Sequence, residues 1–193
     1  ITFCGSELVG IKNRKEYIEK TKDIQMIFQD PMSSLNPRKQ VGQILREALA
    51  IQGIGADRDE RDRIVTETLE RVGIPPEYGS RYPSGFSGGQ RQRIGIARAL
   101  VSNPKLIIAD ECIAALDASV QAQIVNMLHR IKNETGTSLL FISHDLSMVR
   151  YLSDRIGVLH LGYLLEIGTS EEIFNYPVHP YTRSLLAAIP RMN

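Results

Sequence analysis

The run Leu106-Ile107-Ile108-Ala109 is apolar at every position and ends in Asp110-Glu111. A strand with one solvated face alternates apolar and polar residues. A continuous apolar run belongs to a strand covered on both faces, as in a parallel sheet flanked by helices. The neighbouring segments supply those helices. Gly89 to Ser102 carries Ile94, Ala97, Leu100 and Val101 at helical spacing, and Ser119 to Asn133 carries Ile124, Val125, Leu128 and Ile131. Ser138 to Ile142 reads as a second buried strand. Strand, helix, strand at this spacing is a βαβ unit with a right-handed crossover. The fold class is therefore α/β.

On the amino-terminal side, Asp23 to Gln29 reads as a short strand, and Pro31, Asn36 and Pro37 force a loop after it. Val41 to Ile51 and Asp59 to Val72 each carry one apolar helical stripe. Gly73 and Pro75-Pro76 stop the second helix, so a helical subdomain spans about residues 40–86. On the carboxyl side, a short helix leads to a strand at Ile156 to Leu159. Gly162 then turns the chain into Leu164 to Ile167, a hairpin. Short helices near Glu171 and Thr182 close the chain.

Composition excludes several classes. The 193 residues carry 23 Lys plus Arg against 22 Asp plus Glu, a net charge of +1. A protein that coats nucleic acid shows a strong basic excess, which is absent. No apolar run is long enough to span a bilayer, and Ile1 to Gly10 lacks the pattern of a signal peptide. The only cysteines, Cys4 and Cys112, suit a reducing compartment better than a disulfide framework.

Five segments carry candidate chemistry. Ligands of open α/β sheets bind at the carboxyl ends of strands, where Asp110 and Glu111 lie. One carboxylate there can hold hydrated Mg²⁺, and the other can take a proton from an attacking water. A capping or solvent-facing role is the bland alternative for such a pair. Ser87-Gly88-Gly89-Gln90 precedes a helix whose amino-terminal N–H groups suit an anion, although caps use the same residues. Arg91, Arg93 and Arg98 follow on that helix. His144 closes the Ser138 to Ile142 strand, with Ser143 or Asp145 available to cap the next helix. Gln29 ends the first strand, where its carbonyl could ligate a cation or a water. Asp117 opens a helix, where an N-cap role competes with a functional one.

In the order Gln29, Ser87-Gly88-Gly89-Gln90, Asp110-Glu111, Asp117, His144, these segments resemble the ATP-binding subunits of ABC transporters. The matching elements are the Q-loop, the signature motif, Walker B with its glutamate, the D-loop and the switch histidine. Gln25 to Pro31, Ser34-Leu35-Asn36-Pro37 and His179-Pro180-Tyr181-Thr182 with Ile189-Pro190 look like the oligopeptide and dipeptide importers, and nickel importers share much of that pattern.

The resemblance implies a P-loop NTPase-like core with a mostly parallel sheet. Residues 1–39 would end the amino-terminal β region and hold the Q-loop. Residues 40–86 would form the helical subdomain, 87–168 the RecA-like core and 169–193 a carboxyl-terminal helical segment. The cofactors would be ATP and Mg²⁺. Glu111 would be the general base and His144 would touch the γ-phosphate. Asp110 and Gln29 would hold Mg²⁺. Ser87, Gly88, Gly89 and Gln90 would grip a nucleotide held by a second ATPase subunit, and Asp117 would line the seam. The remaining partners would be transmembrane permease subunits and, indirectly, a solute-binding protein. The place of work would be the cytoplasmic face of the cell membrane.

The sequence departs from that pattern. No Gly-x-x-x-x-Gly-Lys-Ser/Thr loop occurs in it. The expectation is a fragment lacking its amino-terminal part, and inactive alone. The strand of that loop would lie between Ser138 to Ile142 and Ile156 to Leu159, leaving each with an open edge. Cys112 replaces the family's usual proline, Ala114 a serine and Phe86 a leucine. A non-hydrolysing interaction fragment and a soluble ABC ATPase are the competing readings.

Overall fold

The computed structural model describes residues 1–11, 13–30 and 34–188. Pro31 and the Ile189-Pro190 pair lie outside the described residues. The chain divides into two units, Ile1–Leu140 and Phe141–Asn193.

The first unit opens with an antiparallel pair, β1 (Thr2–Phe3) and β2 (Ser6–Glu7), followed by helix α1 (Arg14–Thr21). None of these has a periodic apolar signal, so sequence patterning does not reveal them. Strand β3 (Ile24–Ile27) pairs in parallel with β4 (Leu106–Asp110), Ile24 beside Leu106 and Ile27 beside Ala109. Strand β5 (Ser138–Ile142) completes a sheet of order β3-β4-β5. The central position of β4 accounts for its apolar run, with Ile107 and Ala109 buried and Leu106 and Ile108 half-buried.

One expectation fails here. β5 is not buried on both faces, since Leu140 and Ile142 are 51% and 44% exposed. An end strand has a neighbour on one side only, and the face bearing these two residues is uncovered among the described residues. Apolar composition reports what a strand could bury, not what packs on it.

Helices α2 (Val41–Gln52) and α3 (Arg58–Arg71) form the helical region. Val41, Leu45 and Leu49 of α2 are buried, as are Leu69 of α3 and Val72 and Ile74 just after it. Each such aliphatic side chain contributes about 1.5–3 kcal/mol through burial. Asp57 caps α3 by accepting the Glu60 N–H at 2.9 Å. At the other end, orphan carbonyls meet two guanidinium groups. Arg130 donates to Arg71 O at 2.8 Å and Arg93 to Val72 O at 2.9 Å. Arg93 also donates to Gln123 Oε1 at 2.8 Å. Cations at a helix carboxyl terminus satisfy these acceptors and complement the dipole. They tie α3 to helices α4 (Gly88–Leu100) and α5 (Ala118–Thr135). Helix α5 ends at Gly136, whose φ of 68° is left-handed and favours glycine.

In the second unit, α6 (Leu146–Leu152) precedes an antiparallel hairpin of β6 (Arg155–His160) and β7 (Tyr163–Thr169). Leu161 and Gly162 both take positive φ, as a two-residue hairpin turn requires. Val149, Ile156, Val158 and Ile173 form the core, with Phe141, Phe174, Tyr181 and Leu185 packed against it. Helices α7 (Ser170–Asn175) and α8 (Pro180–Ala187) close the unit.

The His179-Pro180-Tyr181-Thr182 segment seats α8 on the hairpin. Glu166 of β7 accepts the Val178 N–H at 2.8 Å on one oxygen and the His179 N–H at 3.1 Å on the other. His179 Nδ1 accepts the Tyr181 N–H at 3.1 Å, and the Tyr181 ring stacks on His160 with centres 4.1 Å apart. The Thr182 side chain, followed by the Val178 N–H, holds the Glu166 carboxyl below its ordinary 4.5.

A carboxyl whose folded value is lowered stabilises the fold fully above its ordinary value. That contribution is lost as pH falls through the folded value. Acidification below 4.5 should therefore release the Val178 and His179 amides to faster hydrogen exchange. Glu166→Gln, with one acceptor oxygen instead of two, should speed their exchange already at neutral pH and flatten the acid dependence. Amide exchange followed by NMR from about pH 7 to about pH 3 checks both effects.

Candidate functional site

The parallel register of β3 and β4 brings their carboxyl ends together. Ile27 lies beside Ala109, and two residues further on Gln29 Nε2 donates to Glu111 Oε2 at 3.0 Å. Glu111 has a φ of +42°, left-handed for a residue with a Cβ. Such a backbone costs about 1–2 kcal/mol, and the Ala114 N–H donating to Glu111 O at 3.1 Å helps to hold it. The turn lifts Glu111 out of the β4 ladder and aims it at the β3 end. Asp110, half-buried, remains the last residue of β4. The next residue, Cys112, is 1% exposed, and burial above all pushes its thiol up to about 12.

Ser87 to Gln90 form a second element. Ser87 is the N-cap of α4 and makes a reciprocal capping box with Gln90. The Gln90 N–H donates to Ser87 Oγ at 3.3 Å, and the Ser87 N–H donates to Gln90 Oε1 at 3.0 Å. The box uses acceptor atoms on both side chains. The hydroxyl hydrogen of Ser87, the amide hydrogens of Gln90 and the first N–H groups of α4 are donors at a positive dipole end. That arrangement suits an anion, and Ser87 and Gly88 are exposed.

The geometry specifies what Asp117 and the arginines after the turn bind. Asp117 caps α5, its carboxylate accepting the Val120 N–H at 3.0 Å. Arg91, Arg93 and Arg98 bind backbone carbonyls. Arg91 Nε donates to Phe86 O at 2.7 Å, Arg93 donates to Val72 O as described, and Arg98 donates to Ser34 O. They brace α4 against its surroundings.

His144 belongs to the second unit. It is exposed and precedes α6. Asp145 caps that helix by accepting the Ser147 and Met148 N–H groups at 2.9 and 3.1 Å, and Ser143 Oγ accepts the Asp145 N–H at 3.0 Å. The capping is thus done by the residues on either side of His144.

Among the described residues, no three His, Cys, Asp or Glu side chains cluster as a metal cage. Mg²⁺ does not need one, since it keeps several waters and takes one or two carboxylates. The donors present fit that habit. Asp110 offers a carboxylate, and Gln29 uses its Nε2 on Glu111 while its Oε1 is an oxygen ligand of the type Mg²⁺ prefers.

A family model described as "ABC transporter" matches residues 1–114. The chain belongs to the ABC transporter family. A second model, the oligopeptide/dipeptide transporter C-terminal region, matches residues 165–193. The oligopeptide transport ATP-binding protein OppF of Bacillus subtilis is 53% identical over 190 residues, which are 98% of this chain and 62% of that protein. The dipeptide transport ATP-binding protein DppF of Lactococcus lactis is 52% identical over 98% of this chain and 61% of its own length. The chain thus spans less than two thirds of the curated relatives it matches.

Solved ABC structures share the fold. CbiO1 of Clostridium perfringens, part of the ABC transporter complex cbiONQ, superposes with a TM-score of 0.79 at 27% identity, covering 91% of this chain and 67% of that one. The ATP-binding cassette MJ0796, dimeric and bound to ADP and Pi in a post-hydrolysis state, gives 0.76 at 25% identity, covering 87% and 72%.

The sequence had not singled out Val120. Its signal is a β-branched residue three positions after a capping aspartate, which is common in any helix; only the structure sets its side chain where a Cβ on Gly89 would lie 2.7 Å from Cγ1.

The two thiols should differ sharply. Thiolate is the reactive form, so at about pH 8 an alkylating reagent should modify the exposed Cys4 and spare buried Cys112. In denaturant both should react, giving one equivalent in the native chain and two in the unfolded one. Mass spectrometry of the alkylated peptides reads the result.

Proposed function

We propose that this chain is part of an ATP-hydrolysing subunit that energises import of oligopeptides or dipeptides through an ABC transporter. The observation that carries the reading is the pairing of Gln29 with Glu111 at the ends of two parallel strands, with a turn at Ser87–Gln90 in the same unit that has donors at a helix amino terminus. The names of the relatives and the match of residues 165–193 to a peptide-transporter region support the solute class over nickel.

In this reading Glu111 takes the proton of the attacking water, and Gln29 fixes the carboxylate by donating to Oε2. Ser87, Gly88, Gly89 and Gln90 bind the γ-phosphate of a nucleotide held by a second cassette. Phosphoryl transfer of this kind depends on positioning and charge stabilisation. His144 supplies a further phosphate contact. Mg²⁺, held by Asp110 and Gln29, would neutralise charge developing on the phosphates. Asp117 lies at the seam with the second cassette, in a hetero- or homodimer.

Among the described residues no helix is long and apolar enough to cross a membrane. In this reading the subunit works through permease partners, bound peripherally at the inner membrane face.

The test is peptide-stimulated ATP hydrolysis by the assembled transporter, with Glu111→Gln in this subunit. Loss of a general base should lower kcat by about 100-fold or more while ATP still binds. Unchanged hydrolysis would remove Glu111 from the chemistry. Import of nickel but not of labelled peptide would move the chain to the alternative solute class.

A further inference from the structure

Gly89 has a packing reason to lack a side chain. A Cβ there would lie 2.7 Å from Val120 Cγ1, with Val120 Cγ2 and Cβ at 3.6 and 3.8 Å. A separation of 2.7 Å is far inside carbon–carbon contact. The obstacle is a β-branched side chain on a helix, which has one strongly preferred rotamer and cannot swing away cheaply. A Cβ on Gly88, by contrast, would meet only Leu116 Cδ2, at an ordinary 3.9 Å.

Val120 is held from its other side. Its N–H donates to the Asp117 carboxylate at 3.0 Å. The segment before it is a continuous series of turns. The Ala114 N–H donates to Glu111 O at 3.1 Å, the Leu116 N–H to Ile113 O at 3.2 Å, and Gln121 Nε2 to Ile113 O at 3.0 Å. One residue therefore touches the anion-suited turn with its side chain and the Asp117 cap with its backbone. All of these groups lie in the first unit.

We propose that Val120 is a positioning residue that sets the place of the Ser87–Gln90 turn relative to Asp117 and, through residues 111–117, to Glu111. The inference rests on the phosphate-binding reading of that turn and adds a separate claim about Gly89. Its missing Cβ makes room for Val120 rather than for the ligand. Displacement of the α4 amino terminus moves several donors at once, so a shift of about 1 Å costs the reaction up to about 100-fold.

Two measurements on Gly89→Ala, Val120→Ala, Val120→Thr and Gly89→Ala/Val120→Ala test it. The first is the amide spectrum of the full 193-residue chain. Gly89→Ala should shift the amides of Gly88, Gln90, Asp117 and Val120, and adding Val120→Ala should return Asp117 and Gln90 toward their wild-type positions. Val120→Thr, which keeps the branched shape, should leave them in place. The second is ATP hydrolysis when the chain is mixed with a cassette carrying its own Gly-x-x-x-x-Gly-Lys-Ser/Thr loop. Gly89→Ala should lower kcat by about tenfold or more with a smaller change in KM, and Val120→Ala in the same chain should recover most of the loss, as coupled neighbours do.

If the double variant is as impaired as Gly89→Ala and its Asp117 amide stays shifted, the proposal is overturned and the Cβ offends the ligand. If the wild-type chain fails to stimulate the second cassette, the functional reading of the turn falls. The spectra then decide the Val120 link by themselves.

Discussion

The parallel register of β3 and β4 is the constraint on which the site depends. Ile27 beside Ala109 sets where both strands end. A parallel pair directs two carboxyl ends to the same side of the sheet, so the residues that follow emerge together. Gln29 and Glu111 are 82 positions apart in sequence, yet reach hydrogen-bond distance two residues beyond the ladder. A shift of one residue would turn alternate side chains to the other face. The buried Ile107 and Ala109 oppose that shift, because they would exchange places with half-buried neighbours. The core of β4 and the chemistry at its end are thus one constraint.

Helix capping and ligand chemistry share residues here without conflict. Ser87, Asp117 and Asp145 all accept N–H groups of the helices they begin. A cap occupies acceptor lone pairs, whereas an anion needs donors. Ser87 can therefore do both, its oxygen accepting from the helix while its hydroxyl hydrogen is there to donate. Asp117 has no donor when ionised, so its cap fixes a carboxylate beside the Ser87–Gln90 turn without competing for the same ligand. The bland reading and the sharp reading of a cap are answers to different hydrogen-bonding questions.

This also explains what the sequence could disclose. The strand at Leu106, the helices after Gly88 and Asp117, the helical region and the hairpin at Gly162 were legible, because each combines periodic burial with a local stop or cap. The exposure of Leu140 and Ile142 was not, because apolar residues carry no record of which face is covered. Hairpin β1–β2 and helix α1 had no pattern to read. Within the candidate site, residue types and order were visible, but three facts were not. These are the Gln29–Glu111 bond, the left-handed turn at Glu111 and the carbonyl partners of Arg91, Arg93 and Arg98. All three depend on contacts or backbone angles that only the folded chain defines.

The exposure of the Ser87–Gln90 turn bears on how such a site can work. Donors at a helix amino terminus attract an anion anywhere, but in open water that attraction is weak because the dielectric is high. Excluding water strengthens every one of those contacts and protects the reaction from competing solvent. A turn whose Ser87 and Gly88 face solvent cannot exclude water by itself. It needs a second surface that brings the nucleotide and closes over it. The ATP-binding cassette MJ0796 is dimeric with ADP and Pi bound. In the proposed reading, binding energy goes into closure, because only the closed state would let donors on α4 meet charge from another chain. The capping box, which ties Ser87 to Gln90 in both directions, fits this demand. A half-site that meets its ligand only on closure must already be in shape before the partner arrives.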